Sequence, residues 1–341
     1  MGTIRVSPNV LGSMFSVFSL PILSTVPRSG TWFLRYAISF LCHLDRGGRI
    51  DDRLTQRTFG DPSGPSFDFQ NFRGGPLFHV GGTLPDDHLF IGHTVCPGFA
   101  ASDVDWWDST PFHVPGYDYL HEGMNYRYTP IELAAGRYAP VRVPALERAA
   151  RRGRSRPIVL VYRNPIDQAV SYFRYSQIHK EATYNSIKGR RLAAVALRDY
   201  LFESALPSYA KQFISFQALA ERHPGQVRLV PYERLMAQPV EVLAGILDHL
   251  SGAPRERPAL ADAVWLARRE HMKAIENELG RSLDGTRIDH GSHITQVAPG
   301  RADPRIDERT RSEAMAFLDR RGLDIRLFEW PLTTQAATAA A

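Results

Sequence analysis

Five consecutive residues, Pro27-Arg28-Ser29-Gly30-Thr31, carry the chemistry most easily read from this chain. A cation, two hydroxyls and a glycine stand where an apolar run breaks and a helical pattern begins. The start of a helix presents unpaired backbone N–H groups and a partial positive charge, so it holds anions. Ser29 and Gly30 let the backbone approach closely, the Ser29 and Thr31 hydroxyls donate, and Arg28 adds a charge-assisted fork. Together they make a nest of phosphate size. It is not a Walker A loop, because no Gly-Lys pair precedes a Ser or Thr here.

A second cation, Arg163, closes the apolar run Ile158 to Tyr162 in "RPIVLVYRNPIDQAVSYF". A charge at the end of a buried strand is costly without an anion to meet it. Asn164, Pro165 and Asp167 follow as helix cap, first helical residue and first-turn acid, with Ser171 further along the same helix. Tyr232 closes a third apolar run. A general base needs a pKa near neutrality, which points to His93 at the end of the short strand in "HLFIGHTVCPGF". His79 in "PLFHVGG" is held in reserve. Metal chemistry is not expected: His88/His93 and His290/His293 lack a supporting Cys or carboxylate pattern, and Cys42 and His43 are adjacent.

Three strand-to-helix units must position these residues. After Thr31, Leu34, Ala37, Ile38 and Leu41 trace a core-facing helical stripe. Residues 14–26 read as the buried strand before it. The second unit runs through Arg163, and the third pairs a strand at about 227–231 with a helix at about 239–250 ending near Gly252. Alternation of this kind predicts an α/β domain with a central parallel sheet and helices on both faces, its ligand at the carboxyl ends of the strands. Residues 45–90 are rich in Gly, Asp, Pro and Arg. Residues 98–150 are irregular but carry Trp106, Trp107, Phe112, Tyr117, Tyr119, Tyr126 and Tyr128, and loops this long are usually lids or binding loops. Helical segments are predicted over 190–222 and 259–280. One domain is expected over 1–335, with 336–341 a frayed tail.

The 341 residues are 43% hydrophobic with a net charge of +5. The basic residues are nearly all arginine, with Lys only at 180, 188, 211 and 273. The densest cluster, "RRGRSR" at 151–156, is too short to argue for nucleic acid. Cys42 and Cys96 allow one disulfide at most, which fits a reducing compartment. No apolar run of transmembrane length is present, and no signal cleavage site stands out.

"PRSGT", "VYRNPIDQAVSYF" and "VPYERL", in this order, resemble the sulfotransferases that use 3′-phosphoadenosine 5′-phosphosulfate (PAPS). The resemblance covers roughly residues 19–42, 88–97 and 156–252, and marks a divergent member of bacterial type. It implies a P-loop-like domain with long irregular insertions. It also implies that Arg28, Ser29, Gly30 and Thr31 cradle the 5′-phosphosulfate, that Arg163 and Ser171 hold the 3′-phosphate, and that Tyr232 contacts adenine. The family continues P-K-S-G-T-T-W where this chain has Trp32 and Phe33, so one hydroxyl is missing and Phe33 replaces a Trp near adenine. "IGHTVCP" resembles a diverged form of the segment that carries the family's catalytic His. The family's late R-K-G-x-x-G-x-W segment is replaced by "RIDHGSHITQVAPGRAD", which keeps Gly291 and Arg301.

The expected activity is therefore metal-free, in-line transfer of a sulfuryl group from PAPS to a hydroxyl of a small, hydrophobic or aromatic acceptor. His93 is the expected base, and Arg28 steadies the leaving phosphate. The insertion at 98–150, and 103–128 within it, is expected to line the acceptor side. The alternatives are an inactive 3′-phosphoadenosine nucleotide-binding protein and a P-loop-like kinase. No nucleic-acid partner or membrane span is expected, and the cytoplasm is the expected location.

Overall fold

The computed structural model describes residues 3–6, 21–48, 77–80, 83–84, 88–92, 139–142, 156–178, 186–187, 190–191, 195–206, 224–279 and 305–329, with scattered helical positions between 209 and 221. In chain order these are β1 (Thr3–Val6), β2 (Ile22–Thr25), α1 (Thr31–Asp45), β3 (Leu77–His79), β4 (His88–Gly92) and β5 (Ala139–Arg142). Next come β6 (Ile158–Tyr162), α2 (Pro165–Ile178), β7 (Ser186–Ile187), β8 (Arg190–Arg191) and α3 (Leu197–Tyr200), which runs into a π turn at Leu201–Ala205. Then follow β9 (Val227–Pro231), α4 (Tyr232–Ala237), α5 (Pro239–Ser251), α6 (Leu260–Leu266), α7 (Arg269–Leu279) and α8 (Glu308–Asp319), with a last 3₁₀ turn at Ile325–Leu327.

The main sheet has the order β3-β4-β2-β6-β9. β4, β2, β6 and β9 run parallel, and β3 closes the edge antiparallel to β4. Central β6 is apolar throughout because both its faces are covered, and its alternate residues feed two cores. Ile158, Leu160 and Tyr162 point to the side of α2, the helical run beyond α3, and α8. Val159 and Val161 point to the side of α1, α5 and α6. β9 ends flush with β6, Tyr162 opposite Pro231, and β2 ends one residue earlier, with Thr25 opposite Val161. The three loops that follow therefore open at one carboxyl edge.

The expected α/β fold with a central parallel sheet is the one found, and α5 ends at Gly252 in the left-handed conformation (φ 74°). Two expectations need correction. Arg190–Arg191 lies in a small antiparallel ladder with Ser186–Ile187, and helix begins only at Leu197. β3 comes from the stretch 45–90, and β5, which pairs with β1 in a separate ladder, from the stretch 98–150 read as irregular. Of the strand expected over 14–26, Ile22–Thr25 is observed, and 7–20 lie outside the described residues.

Candidate active site

The loop Pro27–Gly30 leaves β2 in an uncommon conformation. Arg28 has φ 69°, rare for a residue with a Cβ, and Gly30 has φ 85° as the residue before α1. A Cβ added at Gly30 would lie 3.0 Å from Tyr232 Cε2, so the Tyr232 ring sits directly against the loop. Ser29 is fully buried, and its hydroxyl has no hydrogen-bond partner. The first turn of α1 has neither a side-chain cap nor an acidic residue. An orphaned buried hydroxyl beside an uncapped helix start fits an anion.

Thr31 has a hydroxyl partner on the preceding strand. Its Oγ1 lies 2.6 Å from Thr25 Oγ1, so the hydroxyl is tied to β2, while the start of the helix remains uncapped. Thr25 Oγ1 in turn donates to Gly92 O at 3.5 Å, linking α1 to the end of β4. Trp32 is partly exposed and meets Tyr36 edge-on, whereas Phe33 is buried in the α1-side core.

The second loop supplies side chains in place of open backbone. Asn164 Oδ1 accepts from Ile166 N at 2.9 Å and Asp167 N at 3.3 Å, so the start of α2 is already capped. What it offers an anion is Arg163, only 6% exposed, with Nε unpartnered. The Arg163 guanidinium lies over the Tyr232 ring, 5.2 Å from its centre, and one terminal nitrogen is 4.0 Å from Asp167 Oδ2. Ser171, also buried, accepts from Arg28 Nε at 3.3 Å. That bond joins the Pro27–Gly30 loop directly to α2, and Gln168 Nε2 adds a second link by donating to Pro27 O at 3.0 Å.

Thus Arg28, Ser29, Gly30, Arg163, Ser171 and Tyr232 meet at one edge. His93, Gly291 and Arg301 lie outside the described residues, and for His79 only its backbone place in β3 is described. Several neighbours escaped sequence reading. Glu233 accepts from Asn164 N at 3.1 Å, and burial raises its pKa above the ordinary carboxylate value, with Arg163 opposing. Burial also raises the Tyr232 pKa, so its hydroxyl stays protonated at neutral pH. Buried Arg35 of α1 donates to Ile91 O at 2.7 Å and faces the rings of Trp32 and Phe78. Gln168 was the most legible of these, four residues beyond the cap on the face that carries Arg163's helix into the site.

The half of the site built on β6, α2, β9 and α4 falls inside a matched segment: residues 153–296 match the sulfotransferase domain model. Over this stretch the chain is similar to the sulfotransferase domain. Among solved structures, the chain is similar to mouse sulfotransferase SULT7A1 complexed with PAP, at 14% identity and a TM-score of 0.47, over 98% of this chain and 95% of that one. It is also similar to retinol dehydratase with androsterone and the inactive cofactor PAP, at 15% identity and a TM-score of 0.43, over 94% and 90% of the two chains. No curated protein matches the chain. Among the described residues, no cluster of His, Cys, Asp or Glu could hold a metal ion, and no helix is long and apolar enough to cross a membrane.

Proposed function

We propose that the protein is a PAPS-dependent sulfotransferase acting on a hydroxyl of a small, hydrophobic or aromatic acceptor, without a metal and in the cytoplasm. The observation that carries this reading is the pair of buried, unpartnered donors, Ser29 Oγ and Arg163 Nε, on two loops that Arg28 and Ser171 bond together. Two anion sites joined in this way suit a nucleotide phosphorylated at both ends of its ribose better than one carrying a single phosphate group.

In this reading the uncapped start of α1, with Ser29 and Arg28, holds the 5′ group, and Arg163 with Ser171 holds the 3′-phosphate. Tyr232, and Trp32 and Phe33 of α1, belong to the nucleotide side, as do Gly291 and Arg301. PAPS supplies the sulfuryl group when bound. Arg28 and the backbone donors stabilise the charge that develops on the 5′-phosphate. His93 removes the acceptor proton, and His93→Ala is expected to cut turnover about 10²–10⁴-fold while sparing nucleotide affinity. Residues 103–128 line the acceptor side.

The deciding experiment is calorimetric titration with 3′-phosphoadenosine 5′-phosphate (PAP), with 5′-AMP as control. Micromolar binding of PAP that collapses for 5′-AMP is the expected result. Equal affinity for the two would overturn the assignment of a 3′-phosphate site. Tight PAP binding with no transfer from PAPS to any of a panel of phenols and alcohols would turn the reading into that of an inactive nucleotide-binding protein.

A further inference from the structure

Arg163 sits on a backbone that is held from an unexpected direction. Its carbonyl accepts from Tyr209 Oη at 2.6 Å, a fully buried hydrogen bond. The residue before it, Tyr162, donates its hydroxyl to Leu327 O at 2.8 Å, and the residue after it, Asn164, donates Nδ2 to Glu329 O at 2.9 Å. Both acceptors belong to one short stretch near the C-terminus, reached from residues 165 positions earlier in the chain.

That stretch is itself seated by packing. Phe328 is buried against Phe213, with ring centres 4.9 Å apart, and meets Tyr162 and Tyr209 edge-on at 5.7 and 5.8 Å. Gln217 holds the approach to it, donating Nε2 to Gly322 O and accepting from Asp324 N. The four rings form one cluster, and the two tyrosine hydroxyls in it are both spent on main-chain carbonyls.

We infer that Tyr209 and the strap Ile325–Glu329 are positioning elements that hold Arg163 to the 3′-phosphate, and so set the discrimination between nucleotides with and without that group. The inference rests on the function proposed above. Arg163 cannot place itself. Its side chain has Asp167 at 4.0 Å, the charge of Glu233 nearby and a ring face beneath it, none of which fixes direction as a short hydrogen bond does. Direction must then come from the backbone, which these three bonds hold together with the Asn164 N–H bond to Glu233 and the pairing of Tyr162 with Pro231. Burial raises the pKa of both Tyr162 and Tyr209, so both hydroxyls remain donors across the working pH range.

The test is calorimetric titration of wild type, Tyr209→Phe, Arg163→Ala and the double variant with PAP and with 5′-AMP. Loss of one hydrogen bond that orients the arginine is expected to weaken PAP binding about fivefold, and 5′-AMP binding by less than about twofold. In the Arg163→Ala background, Tyr209→Phe is expected to change PAP affinity no further, because the residue it positions is gone. Equal losses for both nucleotides, no loss for PAP, or an additive loss in the double variant would each overturn the inference. Should Tyr209→Phe fail to show a cooperative unfolding transition, Tyr162→Phe, which frees the strap at Leu327 O, serves in its place with the same readout. A wild type that shows no preference for the 3′-phosphate overturns the proposed function itself. A wild-type preference that survives Tyr209→Phe intact overturns only the brace.

Discussion

Burial keeps the proton on Glu233 to a higher pH than an ordinary glutamate, even though the carboxylate accepts from Asn164 N–H and has Arg163 nearby. The charges that act on it besides Arg163 include Asp167, which pushes in the same direction as burial. A raised carboxylate pKa means that the folded state binds the proton more tightly than the unfolded state. The stability this gives is complete below the unfolded pKa and is lost as pH rises through the folded pKa. Glu233→Gln keeps an acceptor for Asn164 N–H but does not titrate. Wild-type stability relative to this variant should therefore fall as pH rises from about 4 to 7, measured by denaturant unfolding across that range. A difference that rises with pH would show that Arg163 outweighs burial. Arg163→Ala is expected to weaken PAP binding by about 1.5–3 kcal/mol, the range for a hydrogen bond to a charged group. Unchanged affinity in the same titration would remove Arg163 from the site. Arg163 could be read from sequence because an arginine closing an all-apolar strand needs a partner. Glu233 and Tyr209 could not, since their partners are main-chain groups 69 and 46 positions away. A backbone acceptor leaves no mark on the residue that supplies it.

α1 shows how an element can be legible in outline and hidden in function. Its apolar stripe identifies the helix, yet Phe33 through His43 are all buried, including Arg35, Ser39 and His43. Arg35 is the consequential case. It reaches the end of β4 through Ile91 O, while Thr25, bonded to Thr31, reaches the next carbonyl at Gly92. The helix that begins the anion nest is thereby fastened to the strand that leads to His93. Arg35→Met should cost about 1.5–3 kcal/mol in denaturant unfolding, because Ile91 O loses a charged donor in a buried place. A cost of a few tenths would mean that the bond to Ile91 is dispensable. β6 was readable because burial on two faces makes it uniformly apolar. β3 was not, because it is three residues long and borders stretches rich in Gly, Asp and Pro. The strand at Arg190–Arg191 defeated the helical reading because its pairing with Ser186–Ile187 is a contact that local periodicity does not encode.

Across the whole molecule, one sheet separates two cores, and the proposed nucleotide site draws on the structures over both. Ser29 leads into α1, which packs on one face, while Arg163 and Ser171 belong to the loop and helix over the other. The bond from Arg28 to Ser171 and that from Gln168 to Pro27 cross between them at the carboxyl edge. A ligand held by residues from both sides should stabilise the two cores together. With PAP at about 100 times its Kd, binding to the native state alone adds about 2.7 kcal/mol. Calorimetric unfolding should then show one transition, moved upward as a unit by PAP, and 5′-AMP at the same concentration should move it less. Arg163→Ala should lose most of the PAP shift while keeping a single transition, since the variant removes a ligand contact and leaves both cores intact. A scan that splits into two transitions, with PAP raising only one, would mean that the loops at the sheet edge do not join the cores and that the nucleotide rests on one of them alone.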